Sequence, residues 1–164
     1  MAYELLARDY KYRGRVFDIS VSRFQSAQKG EVSIELVHHN GGSGAIPLFE
    51  DGSIALVRQW RYPMNRLSLE ICAGRIEPGQ SPEETAFREL EEEMGLKASE
   101  LKELSRFSVA PGYCEERISV YLATGIEETS QNLDDDEEIE VVRMSYQEAM
   151  GMVGSGDIDD AKSI

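Results

Sequence analysis

Between Gly74 and Leu96 the chain specifies a helix together with both of its ends, and loads that helix with carboxylates. Ser81 suits the N-cap, Pro82 the first helical position, and Glu84, three residues after Ser81, completes a capping box. Gly95 stands where a left-handed residue ends a helix, with Leu96 folding back onto the apolar side. At about 100° per residue, Phe87, Leu90 and Met94 form one stripe, while Glu89, Glu92 and Glu93 fall on roughly the opposite face. The expectation is that the first face packs and the second meets solvent or a ligand.

Glu89 and Glu93 are one turn apart, and like charges so placed destabilise a helix. A divalent cation reverses that sign, because hard cations take oxygen ligands from a few carboxylates, and Mg²⁺ also shares the phosphate oxygens of a substrate. A solvated acidic face, steadied by Arg88 to Glu92 at i to i+4, accounts for the same charges. Charge pattern alone does not choose between them.

Spacing does. Gly74, Arg88-Glu89-Leu90, Glu92-Glu93 and Gly95-Leu96 resemble the Nudix box, G-x5-E-x7-R-E-U-x-E-E-x-G-U with U aliphatic, and fill eight of its nine fixed positions. A match of that length is far more specific than a short motif. The departure is Gln80, which stands where the box has its first Glu. Since the family's metal ligands lie mainly in the R-E-U-x-E-E part, Gln80 is expected to weaken local hydrogen bonding rather than remove metal.

Composition bounds the alternatives. With 164 residues, 41% of them hydrophobic, the chain can form one sizeable core but not two comfortable domains. No run approaches the roughly 18–20 apolar residues of a membrane span, and Met1-Ala2-Tyr3-Glu4 lacks a basic-then-apolar signal pattern. A cytoplasmic protein without a membrane partner is expected. Cys72 and Cys114 have no metal-ligand spacing and are read as free thiols. A net charge of −14 argues against a nucleic-acid partner, and lets a small diphosphate bind only beside divalent cations and placed arginines.

Alternating patterns give two half-buried strands around Phe17–Val21 and Val32–Leu36, joined as a hairpin by Ser26–Gly30. A second hairpin is read from Ile46–Phe49, Asp51-Gly52 and Ile54–Gln59. Leu67, Leu69 and Ile71 form a strand leading into the box. Glu103–Val109, Ile118–Thr124 and Glu138–Met144 follow as strands, and Ser145 with Glu148 opens a last helix. Gly41–Gly44 is read as the separator between residues 1–42, an N-terminal strand pair, and the domain at 43–164. His38 and His39 are read as capping the end of a strand.

The order of elements is similar to the Nudix fold, an α+β architecture in which an α/β/α sandwich surrounds a mixed sheet, here with an N-terminal β-hairpin extension. Leu69–Gly74, the Gln59-Trp60-Arg61 strand, the proline-glycine loop at Pro111 and the segment Gly156–Lys162 resemble the ADP-ribose pyrophosphatase subgroup. That resemblance implies Mg²⁺-dependent hydrolysis of a nucleoside diphosphate sugar, ADP-ribose foremost, with ADP-glucose or GDP-mannose also in range and Mn²⁺ as a substitute metal. It implies a homodimer that exchanges its N-terminal strands.

It also implies roles. Glu89 and Glu93 would be the principal metal ligands, with Glu92, the Ala73 carbonyl and Glu137 joining them, and Arg88 would orient the carboxylates. Within the acidic run Asp134–Glu138, Glu137 is the first choice as general base, followed by Glu138 and Asp135. Arg61 would contact phosphate and Glu116 the terminal sugar, while Glu70, Gly74 and Pro111 would line the substrate site. Phe17 and Arg23 would reach the base. The alternatives are a Nudix enzyme acting on a dinucleoside polyphosphate, NADH or a nucleoside triphosphate, a nucleotide-sugar-binding module without turnover, and an acidic interaction protein.

Overall fold

The N-terminal strands are built from side chains that alternate but scarcely bury. In a computed structural model describing residues 2–133 and 137–164, β1 (Tyr3–Arg13), β2 (Asp18–Ser26) and β3 (Gly30–His38) form an antiparallel sheet in the order β1-β2-β3. The hairpin of β2 and β3 is as expected, turning at Gly30 with φ +73°. The expected strand pair is in fact a triplet, since β1 joins it. Register shifts between Leu5 and Ala7 and between Tyr10 and Tyr12 break the alternation of β1, and most of its residues are exposed. A period-two reading therefore passes over it.

The chain divides into two compact units, Met1–Gly41 with Ser108–Arg117, and Gly42–Phe107 with Ile118–Ile164. In the first unit the backbone of Val37 on β3 donates to Tyr113 and accepts from Glu115, so the segment around Cys114 runs parallel to β3. His38 ends the strand with Nε2 2.7 Å from Ser20 Oγ and Nδ1 2.7 Å from Glu115 Oε2. His39 Nδ1 accepts from the Gly41 N–H at 3.0 Å.

The second unit holds β4 (Gly42–Pro47), β5 (Ser53–Arg61), β6 (Arg66–Glu70), β7 (Cys72–Arg75), α1 (Pro82–Met94), β8 (Leu96–Lys97), β9 (Glu100–Ser108), β10 (Arg117–Thr124), β11 (Glu127–Glu128), β12 (Ile139–Ser145) and α2 (Tyr146–Ser155). The strands join in the orders β7-β4-β10-β9, β12-β5-β6 and β11-β8, with β4 and β10 parallel and β4–β7, β5–β6 and β5–β12 antiparallel. The hairpin expected from Ile46 to Gln59 does not form. Its Asp51-Gly52 turn is present, but β4 and β5 enter different sheets and only Leu48 and Ile54 bridge across it. Gly42, Ser43 and Gly44 are likewise not a linker, being buried within β4.

Alternate residues of β5 face opposite layers. Ala55 and Val57 pack with Ala86, Leu90 and Met94 of α1, whereas Ile54 and Leu56 pack with Ala149 of α2 and with Ile158. The two helices thus pack on opposite sides of β5, and with the mixed β7-β4-β10-β9 sheet this is the expected sandwich. Both have the expected capping boxes, at Ser81 with Glu84 and at Ser145 with Glu148. No described helix is long and apolar enough to cross a membrane.

Candidate active site

Of the two expectations for the carboxylate face of α1, solvent or a ligand, its packing leaves little room for solvent at Glu89 and Glu93. Thr85, Ala86, Glu89, Leu90, Glu93 and Met94 are the buried residues of the helix, and Phe87 is only half-buried. Glu89 and Glu93 project from the edge of the packed stripe toward β7. The contact is close: a Cβ on Gly74 would lie 1.9 Å from Glu89 Oε1, so any side chain there would push this carboxylate from its place. Next to it, the Ala73 N–H donates to Glu93 Oε2 at 3.1 Å. The spacing between Gly74 and Glu89 is thereby explained as strand, turn and about two helical turns bringing backbone against carboxylate.

Arg88 holds the cluster together. Its Nη2 lies 2.7 Å from Glu89 Oε1 and donates to the Arg75 carbonyl at 3.3 Å, and its Nη1 donates to Glu92 Oε2 at 2.5 Å. Beyond α1, Gln131 Nε2 donates to the Glu93 carbonyl at 2.6 Å and the Asn132 N–H to the Glu92 carbonyl at 3.0 Å. This docks Gln131 and Asn132 on the helix end, and Asn132 and Glu137 line the same cavity, of about 220 Å³. Gln59, Arg61, Ala73, Gly74, Arg88, Glu89, Glu92 and Glu93 complete most of its lining.

Electrostatics follow from this burial. Desolvation pushes Glu89 up to about 7, against the pull of Arg88 and with help from Glu92 and Glu137. Desolvation likewise raises Glu93 to about 8, and repulsion from Glu89 and Glu137 adds to it. Two acids that resist ionisation in one cleft form a site that gains by admitting positive charge. Among the described residues no three acidic, histidine or cysteine side chains already converge as a metal cage. Arg88, bridging Glu89 and Glu92, occupies that role in part. Gln59 Nε2 and Arg88 Nε are buried without a hydrogen-bond partner among the described residues, leaving donors as well as acceptors around the cleft.

Not every expected site residue is here. Glu70 is 1% exposed, and both of its oxygens are taken: Arg61 donates Nε to Oε1 at 2.8 Å and Nη2 to Oε2 at 2.5 Å, and Lys162 Nζ donates to Oε2 at 2.5 Å. Glu70 therefore supports Arg61 and is not in the cavity lining. Burial alone would raise its pKa, but Arg61 and Lys162 outweigh burial and hold it down to about 2. Gln80 accepts from Thr85 Oγ1 at 3.2 Å and is not in the cavity lining. Glu138 is exposed and also outside the lining, and Asp135 lies outside the described residues.

Phe17, Arg23, Pro111 and Glu116 belong to the first unit. There the Phe17 ring packs tilted against Tyr12 at 6.0 Å between centroids, Arg23 Nη1 pairs with Glu31 Oε1 at 3.0 Å, and Glu116 Oε1 lies 3.5 Å from His39 Nδ1. Asn132 carried no sequence signal of its own, and Lys162 only closed the Gly156–Lys162 segment without a role. Gln59 carried one, as the first residue of the Gln59-Trp60-Arg61 strand.

The NUDIX domain family matches residues 38–164. The ADP-ribose pyrophosphatase of Bacillus subtilis (strain 168) is 34% identical over 160 residues, covering 96% of this chain and 86% of that protein. The methanol dehydrogenase activator of Bacillus methanolicus is 32% identical over 155 residues, covering 93% and 84%. A solved structure of an ADP compounds hydrolase superposes with a TM-score of 0.84 at 23% identity, over 99% of this chain and 89% of that one, and supports the fold. Nudix hydrolases generally work with a divalent metal, which suits the acidic cleft of α1 and β7. The chain belongs to the Nudix family, as a hydrolase of pyrophosphate bonds.

Proposed function

We propose that the chain is a Mg²⁺-dependent hydrolase of nucleoside diphosphate sugars, with ADP-ribose the foremost substrate and AMP and ribose 5-phosphate the products. The observation that carries this reading is the buried pair Glu89 and Glu93, raised to about 7 and 8 and set against the backbone of Ala73 and Gly74. Their burial and mutual repulsion fit a cation, and Glu89, Glu93, Glu92, Glu137 and the Ala73 carbonyl would hold it. Bound there, the cation supplies screening of the diphosphate oxygens and acidification of water.

The remaining work falls to the chain's own groups. Arg61 meets the phosphates, with two of its nitrogens fixed on Glu70. Arg88 keeps Glu89 and Glu92 aligned. Glu137, at the cavity wall, accepts the proton of the attacking water. Residues 1–42, acting as strands exchanged in a homodimer, place Phe17 and Arg23 near the base, and the Pro111 loop brings Glu116 to the terminal sugar. This reading keeps the enzyme in the cytoplasm.

A substrate panel tests it: release of nucleoside monophosphate from ADP-ribose, ADP-glucose, GDP-mannose, NADH and a dinucleoside polyphosphate, with and without Mg²⁺, for the native chain and Glu93→Gln. Turnover of the sugars that needs the metal and Glu93 is expected. Metal-loaded protein that turns over none of them overturns the reading, and tight binding without product would favour a binding module. Sedimentation of an active monomer would remove the exchanged dimer.

A further inference from the structure

The segment after α2 reaches back to the strand that feeds the acidic cleft. Lys162 is 7% exposed in its side chain and donates to Asp160 Oδ2 at 2.8 Å as well as to Glu70 Oε2. Ser163 Oγ accepts the Ile71 N–H at 2.9 Å and donates to Asp160 Oδ2 at 2.6 Å. Consecutive residues at the junction of β6 and β7 are thus pinned, Glu70 by its side chain and Ile71 by its backbone.

Glu70 serves two cations, and they do different things. Arg61 lines the cavity that holds Glu89 and Glu93, and Glu93 adds to the pull on its guanidinium. A guanidinium free to swing would pair with those carboxylates and fill the place meant for a metal. The two parallel bonds from Glu70 prevent that, because they fix the plane of the guanidinium and commit Nε and Nη2. A carboxylate buried this deeply keeps its charge and rotamer only with its charge balanced, and Lys162, held by Asp160, completes that balance without itself lining the cleft.

Resting on the proposed hydrolysis, we propose that Lys162 is a positioning residue: through Glu70 it holds Arg61 in the orientation that meets the substrate's diphosphate. The segment Asp157–Ser163 is then part of the site's machinery although none of its side chains lines the cavity.

The experiment is a double-mutant cycle read in KM and kcat on ADP-ribose with Mg²⁺, and in the calorimetric Kd of α,β-methylene ADP-ribose. Lys162→Met should raise both KM and Kd about tenfold while kcat stays within about threefold, as expected when a binding group is misaligned but the reacting groups are not. Lys162→Arg should restore most of the loss. In an Arg61→Ala background, Lys162→Met should add nothing, because the group it positions is gone. Asp160→Asn should give a smaller shift of the same kind, and together with Lys162→Arg it decides the matter if Lys162→Met does not fold. Effects of Lys162 and Arg61 that simply add, or a lowered melting temperature with KM and Kd unchanged, would overturn the proposal. Analogue binding that shows the coupling without turnover would sink the hydrolase reading and leave this one standing; native protein that neither binds nor hydrolyses would end both.

Discussion

The acidic cleft should make the metal-free protein less stable as pH rises, and Glu93→Gln should remove much of that dependence. Glu93 stands at about 8 in the folded chain against an ordinary value of 4.5. A carboxyl raised in this way binds its proton more tightly folded than unfolded. Its sign is therefore the reverse of a salt-bridged acid: stability is greatest below about pH 4.5 and is lost as pH climbs through the folded value. At about 1.4 kcal/mol per pH unit the ceiling is on the order of 5 kcal/mol. Glu89, raised to about 7, shares the same repulsion, so the two are not summed. With water entering the cleft, about 2–3 kcal/mol is a fair expectation for Glu93, or roughly 5–10 °C in melting temperature for a chain of this size. Glu70, held down to about 2, contributes in the opposite direction and only on acidification below about pH 4.5, outside the window of the test.

Urea unfolding followed by circular dichroism at pH 5, 6, 7 and 8 in a chelating buffer measures this directly. At pH 5, where Glu93 is protonated, native and Glu93→Gln proteins should be nearly equal. By pH 8 the variant, which carries no charge there, should be the more stable by the stated amount, although inactive. Adding Mg²⁺ at pH 8 should stabilise the native protein and scarcely affect the variant. A gap that is the same at every pH, or a variant less stable than native at pH 8, would refute the reasoning.

Two further expectations rest on close packing around the same strand. Gly74→Ala sets a Cβ 1.9 Å from Glu89 Oε1, so it should cut kcat/KM by about 10²-fold or more and weaken Mn²⁺ binding in a paramagnetic titration; a near-native rate would show that the contact can relax. Cys72 is fully buried, and desolvation pushes its thiol well up, so iodoacetamide at pH 8 should label the half-buried Cys114 first, as read by peptide mass spectrometry; prompt labelling of Cys72 would mean that β7 opens in the native state.

What was legible in the sequence was what short-range chemistry writes. Ser81 with Glu84, Gly95, and Ser145 with Glu148 fix helix ends within a few residues, and each formed as read. Strand pairing was less legible, because it depends on partners far along the chain. The Asp51-Gly52 turn suits a hairpin, yet β4 gains a parallel neighbour in β10 and β5 pairs with β6 and β12, so their ladders part after one bridge. Box spacing gave the identity of Glu89, Glu92 and Glu93 but not their environment. A helical wheel leaves the carboxylate face to solvent or a ligand without choosing, whereas β7, narrowed at Gly74, crosses α1 on that very side. Lys162 was illegible as a site residue because its effect passes through Glu70, and a buried acid between two cations leaves no local pattern. These failures share a cause, and it bears on function: an exposed Glu89 and Glu93 would ionise freely and hold a cation weakly against water. Burial raises the cost of their charge, and this gives the cleft a reason to bind metal that a solvated acidic face lacks.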